Sequence, residues 1–424
     1  MRSVFAKGAV AVSVVAILIT GCGGSEPGGG GDSGDGKETR GPITFATGKD
    51  TTGKLQGILD LWNTDHPDEE VKLLELSESA DEQRNAMVQN FQAKSATYDV
   101  VNADVIWTAE FAAREWLEEL GDKAAPEGII PATVETGKFE DKIYAAPWTS
   151  DGGMLYYRTD LVKTPPKTWA ELQQACTDVA EKNNMDCYAG QFKQYEGLTV
   201  NASEAINSAG GVIMENSGKE VAVDSQEARD GLQFLVDGFK NGEIPKEAIT
   251  YQEEEGRRAF QAGKLLFLRN WPYVYNLASE KGPDSKIVGK FDVAPLPGPD
   301  GVGASTLGGH NLALSAFSKN KATARDWIAF MQSEETQRAI AKDMGLAPVI
   351  ESLYDDPELI KTQPYLPVLK ESILNAQVRP VTPNYNAVSL AIQKESYAAL
   401  QGQKSVDQAI TDLAGELEEA AKRS

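Results

Sequence analysis

The chain of 424 residues sets 41 Lys and Arg against 63 Asp and Glu, a formal charge of −22. A surface this acidic repels polyanions, which argues against nucleic acid and against adhesion to anionic lipid but leaves a neutral ligand open. Only two histidines, His66 and His310, are present, so a histidine-based triad or metal centre has little to draw on.

Arg2 and Lys7 precede an apolar run from Ala9 to Ile19, interrupted only by Ser13, that ends in Thr20-Gly21-Cys22. A basic start, an apolar core of this length and a small-residue exit describe a secretory leader. The run is shorter than the ~20 apolar residues that a membrane-spanning helix needs. Ile19-Thr20-Gly21-Cys22 also fits the bacterial lipoprotein cleavage box, in which cutting before Cys22 frees it to carry diacylglycerol. The alternative is an ordinary secreted protein with a cysteine near its cleavage site. Gly23 to Gly41 is dominated by Gly, Ser, Asp and Glu, the composition of a flexible coil. The expectation is therefore a leader over 1–21 and a tether over 22–41, held at the outer face of the cell membrane by a lipid on Cys22. Loss of Arg2 and Lys7 with the leader takes the charge from −22 to −24.

About 380 residues follow, more than one core usually holds, so two domains are expected. Ile43 to Ala46 reads as a strand. Leu55, Ile58, Leu59 and Trp62 fall at helical spacing, and His66-Pro67 ends that helix, with His66 read as a cap or surface residue. Val71 to Leu76 is the next strand, Arg84 to Lys94 a helix, Asp99 to Asp104 a third strand and Thr108 to Leu120 a helix. Such alternation predicts a parallel sheet covered by helices, with ligands at the carboxyl ends of its strands, where Asp104 falls.

Further on, Thr168-Trp169-Ala170-Glu171 is a capping box that starts a helix. Ala228 to Phe239 and Gly256 to Ala262 read as helices, and Leu265 to Leu268 and Phe291 to Ala294 as strands. Thr323 to Met344 reads as one helix closed by Gly345. A second capping box, Ser405-Val406-Asp407-Gln408, starts the last helix. Cys176 and Cys187 are expected to form one disulfide in an oxidising compartment, the alternatives being a metal pair or two buried thiols.

The usual enzyme signatures are missing: there is no H-E-x-x-H, G-x-S-x-G, Walker loop or dinucleotide fingerprint. Aromatic residues interleaved with Gly and Pro stand out instead, in Pro147-Trp148-Thr149-Ser150-Asp151-Gly152-Gly153 with Tyr156-Tyr157, and in Asn270-Trp271-Pro272-Tyr273. A pyranose offers an apolar face and a rim of hydroxyls, so an aromatic platform plus carboxylate, amide or guanidinium groups can hold it. Trp271 and Tyr273 with Arg84, Asp104, Asp151 and Arg379 supply both kinds, the alternative being that the aromatics are core. Pro272 disfavours a central strand or helix there and favours a loop facing a cleft.

From about Ile43 to its end the chain resembles the extracellular solute-binding proteins of sugar ABC importers, with the trehalose/maltose binders the nearest pattern. The segments that carry this are Asp81-Glu82-Gln83-Arg84, Asp104-Val105-Ile106-Trp107, Asp151-Gly152-Gly153-Met154-Leu155-Tyr156-Tyr157-Arg158, Lys193-Gln194-Tyr195-Glu196-Gly197-Leu198, Arg269-Asn270-Trp271-Pro272-Tyr273, Val293-Ala294-Pro295-Leu296-Pro297, Thr306-Leu307-Gly308-Gly309 and Arg379-Pro380. The resemblance implies an α/β fold of two lobes, each a sheet covered by helices, with the sugar closed between them. The lobes would be 42–148 plus 309–346, and 149–308 plus 347–424.

It further implies that Arg84 and Asp104 bond sugar hydroxyls from the first lobe and that Asp151 bridges hydroxyls of the other ring. Trp271 and Tyr273 would stack on and contact the ligand, Arg379 would face the cleft, and Gly308 and Gly309 would allow close backbone approach. Two departures stand out. His310 replaces the tryptophan that follows the paired glycines in trehalose/maltose binders, and the first loop is short, leaving Asp50 as its acidic contact. The expected function is hinge-closing capture of an α-linked disaccharide such as trehalose or maltose, and its delivery to a transmembrane permease. The receptor would be a monomer, with neither cofactor nor metal and no catalysis of its own. The rival is a lipid-anchored glycoside hydrolase acting on α-glucosides through two carboxylates.

Overall fold

The computed structural model describes residues 39–422 apart from residue 217; the expected leader, Cys22 and the tether up to residue 38 lie outside the described residues. In chain order the main strands are β1 (Ile43–Thr47), β2 (Val71–Glu75), β3 (Val100–Asp104), β4 (Ala145–Asp151), β5 (Met154–Arg158), β6 (Asp186–Ala189), β7 (Leu265–Asn270), β8 (Phe291–Ala294) and β9 (Gly308–Leu314). They make a five-stranded sheet ordered β2-β1-β3-β9-β4 and a four-stranded sheet ordered β8-β5-β7-β6. In the first, β1 runs parallel to β2 and β3, while β9 runs antiparallel to both β3 and β4.

Alternation along these strands divides the first core. Phe45, Val100, Leu312 and Leu314 point to one face with Leu59, Trp62 and Trp327, whereas Ala46, Val101, Ala103 and Ala313 meet Met87, Phe91 and Phe111 on the other. That is the period-two rule applied to a sheet buried on both sides. The second sheet has its own core around Tyr156, Phe260, Phe267 and Leu268. The helices Gln226–Asn241, Tyr385–Leu400 and Val406–Ala421 pack a further cluster against the helix Glu196–Ser208. Pro147 lies in β4, an edge strand, where its missing N–H removes no ladder bond that a central strand would need. The register with β9 shifts beside it: His310 pairs with Thr149 and Asn311 with Pro147, which leaves Trp148 as the extra residue of a bulge in β4.

Several local expectations need adjustment. The helix from Thr108 stops at Ala113 because Glu115 turns to a left-handed φ of 59°, which lets Trp116 stack on Phe91. The helix expected from Arg84 begins at Ala80, with Asp81 and Glu82 in its first turn, where carboxylates complement the helix dipole. The long helix of 323–344 is three pieces: Lys321–Met331, Glu334–Ala339 capped by Ser333, and a π-turn Ile340–Met344 closed by Gly345 at φ 70°. The Thr168 capping box is fully made, whereas at Ser405 only the serine half forms, Gln408 bonding Asp412 instead.

His66 lies flat against Trp62, ring centroids 3.7 Å apart, in keeping with the end of a helix. Cys176 and Cys187 are joined by a disulfide between the helix following Thr168 and β6. Residues 39–41, read above as the end of the tether, are held. Arg40 makes a two-pronged pair with Glu69 at 2.7 Å and meets Asp326 at 2.8 Å, and Gly41 N–H donates to Thr323. Among the described residues no helix is long and apolar enough to cross a membrane.

Candidate functional site

A cavity of about 430 Å³ opens where the carboxyl ends of β1 and β3 face the segments that enter and leave the second sheet. Small-molecule sites commonly fall between ~300 and ~1,000 Å³. Asp50, Asp104, Asp151, Trp271, Tyr273, Gly309, His310 and Arg379 all line it.

Arg84 does not line the cavity. Its guanidinium grips the buried Glu110 with Nε at 2.9 Å and Nη2 at 2.6 Å, and stays inside its own lobe. Asp50 lines the cavity with both oxygens occupied: Oδ1 accepts from Thr52 N–H at 2.9 Å and Oδ2 from Leu55 N–H at 2.8 Å. It thereby serves the orphan donors at the start of the helix Leu55–Asp65, as an N-cap would.

Asp104, at the end of β3, accepts from Arg379 Nη2 at 3.0 Å. Arg379 reaches Glu196 Oε1 at 2.7 Å through its other terminal nitrogen, and Glu196 also accepts from Tyr385 and Ser389 hydroxyls. One guanidinium thus joins the first sheet to the first residue of the helix Glu196–Ser208. Burial opposes its charge, but Asp104 and Glu196 hold it firmly protonated. Glu196 itself is pushed up by burial, with Arg379 pulling the other way. Asp81 sits against the main-chain N–H of Glu196 and the side chain of Gln393, and burial raises its pKa in spite of them.

Asp151 ends β4 opposite Gly308 on β9. Burial pushes its carboxyl up to about 7, Asp104 adds to the rise, and Arg269 opposes it. Its Oδ1 is buried and meets no donor among the described residues. His310 stands in the ladder between Asp104 and Thr149, and burial lowers its pKa, favouring the neutral ring. Gly309 has φ +111°, and a Cβ there would lie 2.3 Å from Thr149 O, so only glycine fits the turn of β9 against β4.

Trp271 follows β7 and precedes the helix Tyr273–Ser279, for which Pro272 is the N-cap. The stretch expected to be a loop is therefore a strand-to-helix junction. Trp271 and Tyr273 are partly exposed, and Tyr273 donates to Glu254 at 2.8 Å. The other flagged aromatics are core. Trp148 is 2 % exposed and donates from Nε1 to Asn102, while Tyr156 is fully buried and donates to the main-chain oxygen of Trp271 at 2.7 Å.

Sequence reasoning gave no role to Tyr195, Glu196 and Glu253, which line the cavity too. Glu253 is pushed up by burial, with the Tyr195 hydroxyl beside it opposing the rise. The helix Glu196–Ser208 offers no apolar stripe to read, because eleven of its residues are buried, polar ones included. Among the described residues, no three His, Cys, Asp or Glu side chains gather as a metal-binding set.

Comparison with known proteins adds to this geometry. The family described as bacterial extracellular solute-binding protein matches residues 48–338. A probable ABC transporter-binding protein of Deinococcus radiodurans is 36% identical over 366 residues, covering 82% of this chain and 86% of that protein. A maltotriose-binding protein of Pyrococcus abyssi is 24% identical over 313 residues, 71% of this chain and 65% of that one. Among solved structures, maltose-bound MalE3 of T. maritima superposes with a TM-score of 0.84 at 36% identity, over 89% of this chain and 99% of that one.

Proposed function

Because this chain belongs to the bacterial extracellular solute-binding proteins, we propose that it captures an α-linked disaccharide, trehalose or maltose-like, and hands it to the permease of an ABC importer. One observation carries the ligand class: two side chains lining the cavity hold a buried polar atom with no partner among the described residues, Asp151 Oδ1 and Arg379 Nε. Buried polar atoms are rarely left unpaired. An acceptor and a donor around one cavity, with a partly exposed indole, complement a sugar's hydroxyl rim and apolar face. The maltose-bound and maltotriose-binding relatives support the same class.

On this reading Asp151, Arg379 and Asp104 bond hydroxyls, Trp271 is the platform with Tyr273 at its side, and Gly309 brings the backbone close. His310 takes the place of a stacking ring and selects a hydroxyl. The two lobes, 42–148 with 309–346 and 149–308 with 347–424, close over the ligand as a hinge. The receptor works as a monomer, and a lipid on Cys22 keeps it at the outer face of the membrane, near its permease. Titration calorimetry with trehalose, maltose, sucrose and longer maltodextrins tests the ligand: micromolar or tighter binding to at least one is expected, and heat from none of them sinks the proposal. Cys22→Ser should move the protein from the membrane fraction to the soluble one; unchanged fractionation removes the anchor.

One observation favours a second reading, glycoside hydrolysis: a carboxyl raised to about 7 beside the carboxylate of Asp104 has the character of an acid–base pair. Asp104 is already tied to Arg379, and the family comprises binding proteins, so capture without turnover is the expected result. Glucose released from maltose or trehalose by wild type but not by Asp151→Asn would reverse that.

A further inference from the structure

The indole of Trp271 is held from two sides: by a buried ion pair outside the cavity lining, and by Gly308, which belongs to that lining. Arg269 is the penultimate residue of β7, and Trp271 is the first residue beyond the strand. The Arg269 guanidinium carbon lies 3.9 Å from the centroid of the Trp271 ring. Arg269 is 1% exposed, and its position is set in turn by Glu204, whose Oε2 accepts from Nε at 2.7 Å, and by Gln191 at 2.9 Å. Glu204 also accepts from the main-chain N–H of Thr306 at 3.2 Å. Thr306 lies two residues ahead of Gly308, where an added Cβ would lie 2.9 Å from Cζ3 and 3.0 Å from Cη2 of the same ring. One buried carboxylate therefore fixes both the cation stacked on the indole and the backbone that its benzo edge touches.

We propose that Arg269, Glu204 and Gly308 are positioning residues for sugar recognition: together they set the tilt of Trp271, and none of them needs to touch the ligand. This rests on Trp271 being the platform of the site proposed above. A buried ion pair need not add net stability, and apolar replacement of both partners is often neutral. The pair's contribution here is orientation. A guanidinium stacked on one face of the indole locks the side chain before a ligand arrives, so less ordering remains to be done on binding. Gly308 carries no left-handed φ, so alanine there adds no backbone strain; its Cβ crowds the ring first and meets the Cβ of Asp151 less closely, at 3.3 Å.

Two variants separate orientation from folding: Gly308→Ala, which crowds the indole and leaves the ion pair intact, and the double replacement Arg269→Met with Glu204→Leu, which removes the pair without stranding either charge. In 5-fluorotryptophan protein the Trp271 fluorine signal, assigned by its loss in Trp271→Phe, reports ring environment without any sugar. Both variants are expected to shift that signal, to bind maltose or trehalose roughly tenfold more weakly or worse, and to keep a single cooperative unfolding transition. An unmoved signal in both variants, or a moved one with wild-type affinity, overturns the positioning role. A wild-type chain that binds no sugar refutes the functional reading instead, and the fluorine signal alone then decides what holds the indole.

Discussion

Replacing Asp151 by Asn should make the protein more stable at alkaline pH and a poorer receptor. The Asp151 carboxyl is pushed up to about 7 by burial, by Asp104 beside it, and against the pull of Arg269. A carboxyl whose pKa rises on folding binds its proton more tightly in the folded state than in the unfolded chain. Its contribution to stability is therefore greatest below the ordinary value of 3.8, falls as pH climbs, and levels off above about 7. At about 1.36 kcal/mol per pH unit the gap from 3.8 to about 7 sets a ceiling near 4 kcal/mol. Asp151 is partly exposed, and solvent screening brings the expected penalty to ~2 kcal/mol. Asn keeps the shape and removes the charge. Urea unfolding of both proteins from about pH 4 to about pH 8.5 gives the test. The curves should nearly coincide at the acid end and separate through neutrality, with Asn ahead by ~2 kcal/mol at the alkaline end. Every other titrating group is common to both chains, so the difference isolates position 151. Maltose or trehalose binding in the same variant should weaken by ~1.5–3 kcal/mol, the worth of a hydrogen bond to a charged acceptor. Stability curves that run parallel at all pH values would refute the reasoning.

Trp271→Ala should lower sugar affinity by roughly a hundredfold or more while costing less than ~1.5 kcal/mol of stability, because the ring is partly exposed and loses mainly its stacking on Arg269; a protein that unfolds instead shows the indole to be core. Arg379→Met leaves the buried Glu196 and the partly exposed Asp104 without their cation and should cost ~3–5 kcal/mol in urea unfolding. Arg379→Lys should rescue little of that, since one ammonium cannot span both carboxylates as the guanidinium fork does. Removing the disulfide as Cys176→Ser with Cys187→Ser opens an 11-residue separation and should lower stability by ~2.8 kcal/mol on the chain-entropy scale, read from urea midpoints with and without reductant.

What could be read from the sequence follows from how each element buries its residues. The helix Leu55–Asp65 buries a clean stripe of Leu55, Ile58, Leu59 and Trp62 and was legible for that reason. The helices Glu196–Ser208 and Tyr385–Leu400 are buried nearly all round, with Glu196, Glu204, Gln393 and Glu395 inside, so no periodic contrast marks them. Yet Glu196 and Glu204 are the acids that secure Arg379 and Arg269. The start of the helix Glu253–Gln261 was also hidden, because its capping box uses Gln252 where a serine or threonine is usual. At the cavity, residue type pointed to the right neighbourhood for Asp104, Asp151, Trp271 and Arg379 but could not tell free from occupied groups. Arg84 and Asp50 have the chemistry of ligand contacts, and three-dimensional neighbours already claim them: Glu110 for one, the start of a helix for the other.

The clasp at Arg40 has a mechanical side. Strand β1 lies inside the first sheet with a ladder on each edge, and the chain enters it only three residues after Arg40. A pull on the chain ahead of residue 39 would otherwise peel β1 away and unzip two ladders together. The Arg40 fork on Glu69, its second contact with Asp326 and the Gly41 bond to Thr323 take that tension before it reaches the strand. They serve as the strain relief on a cable does, letting the upstream chain be tugged without disturbing the sheet that carries Asp104.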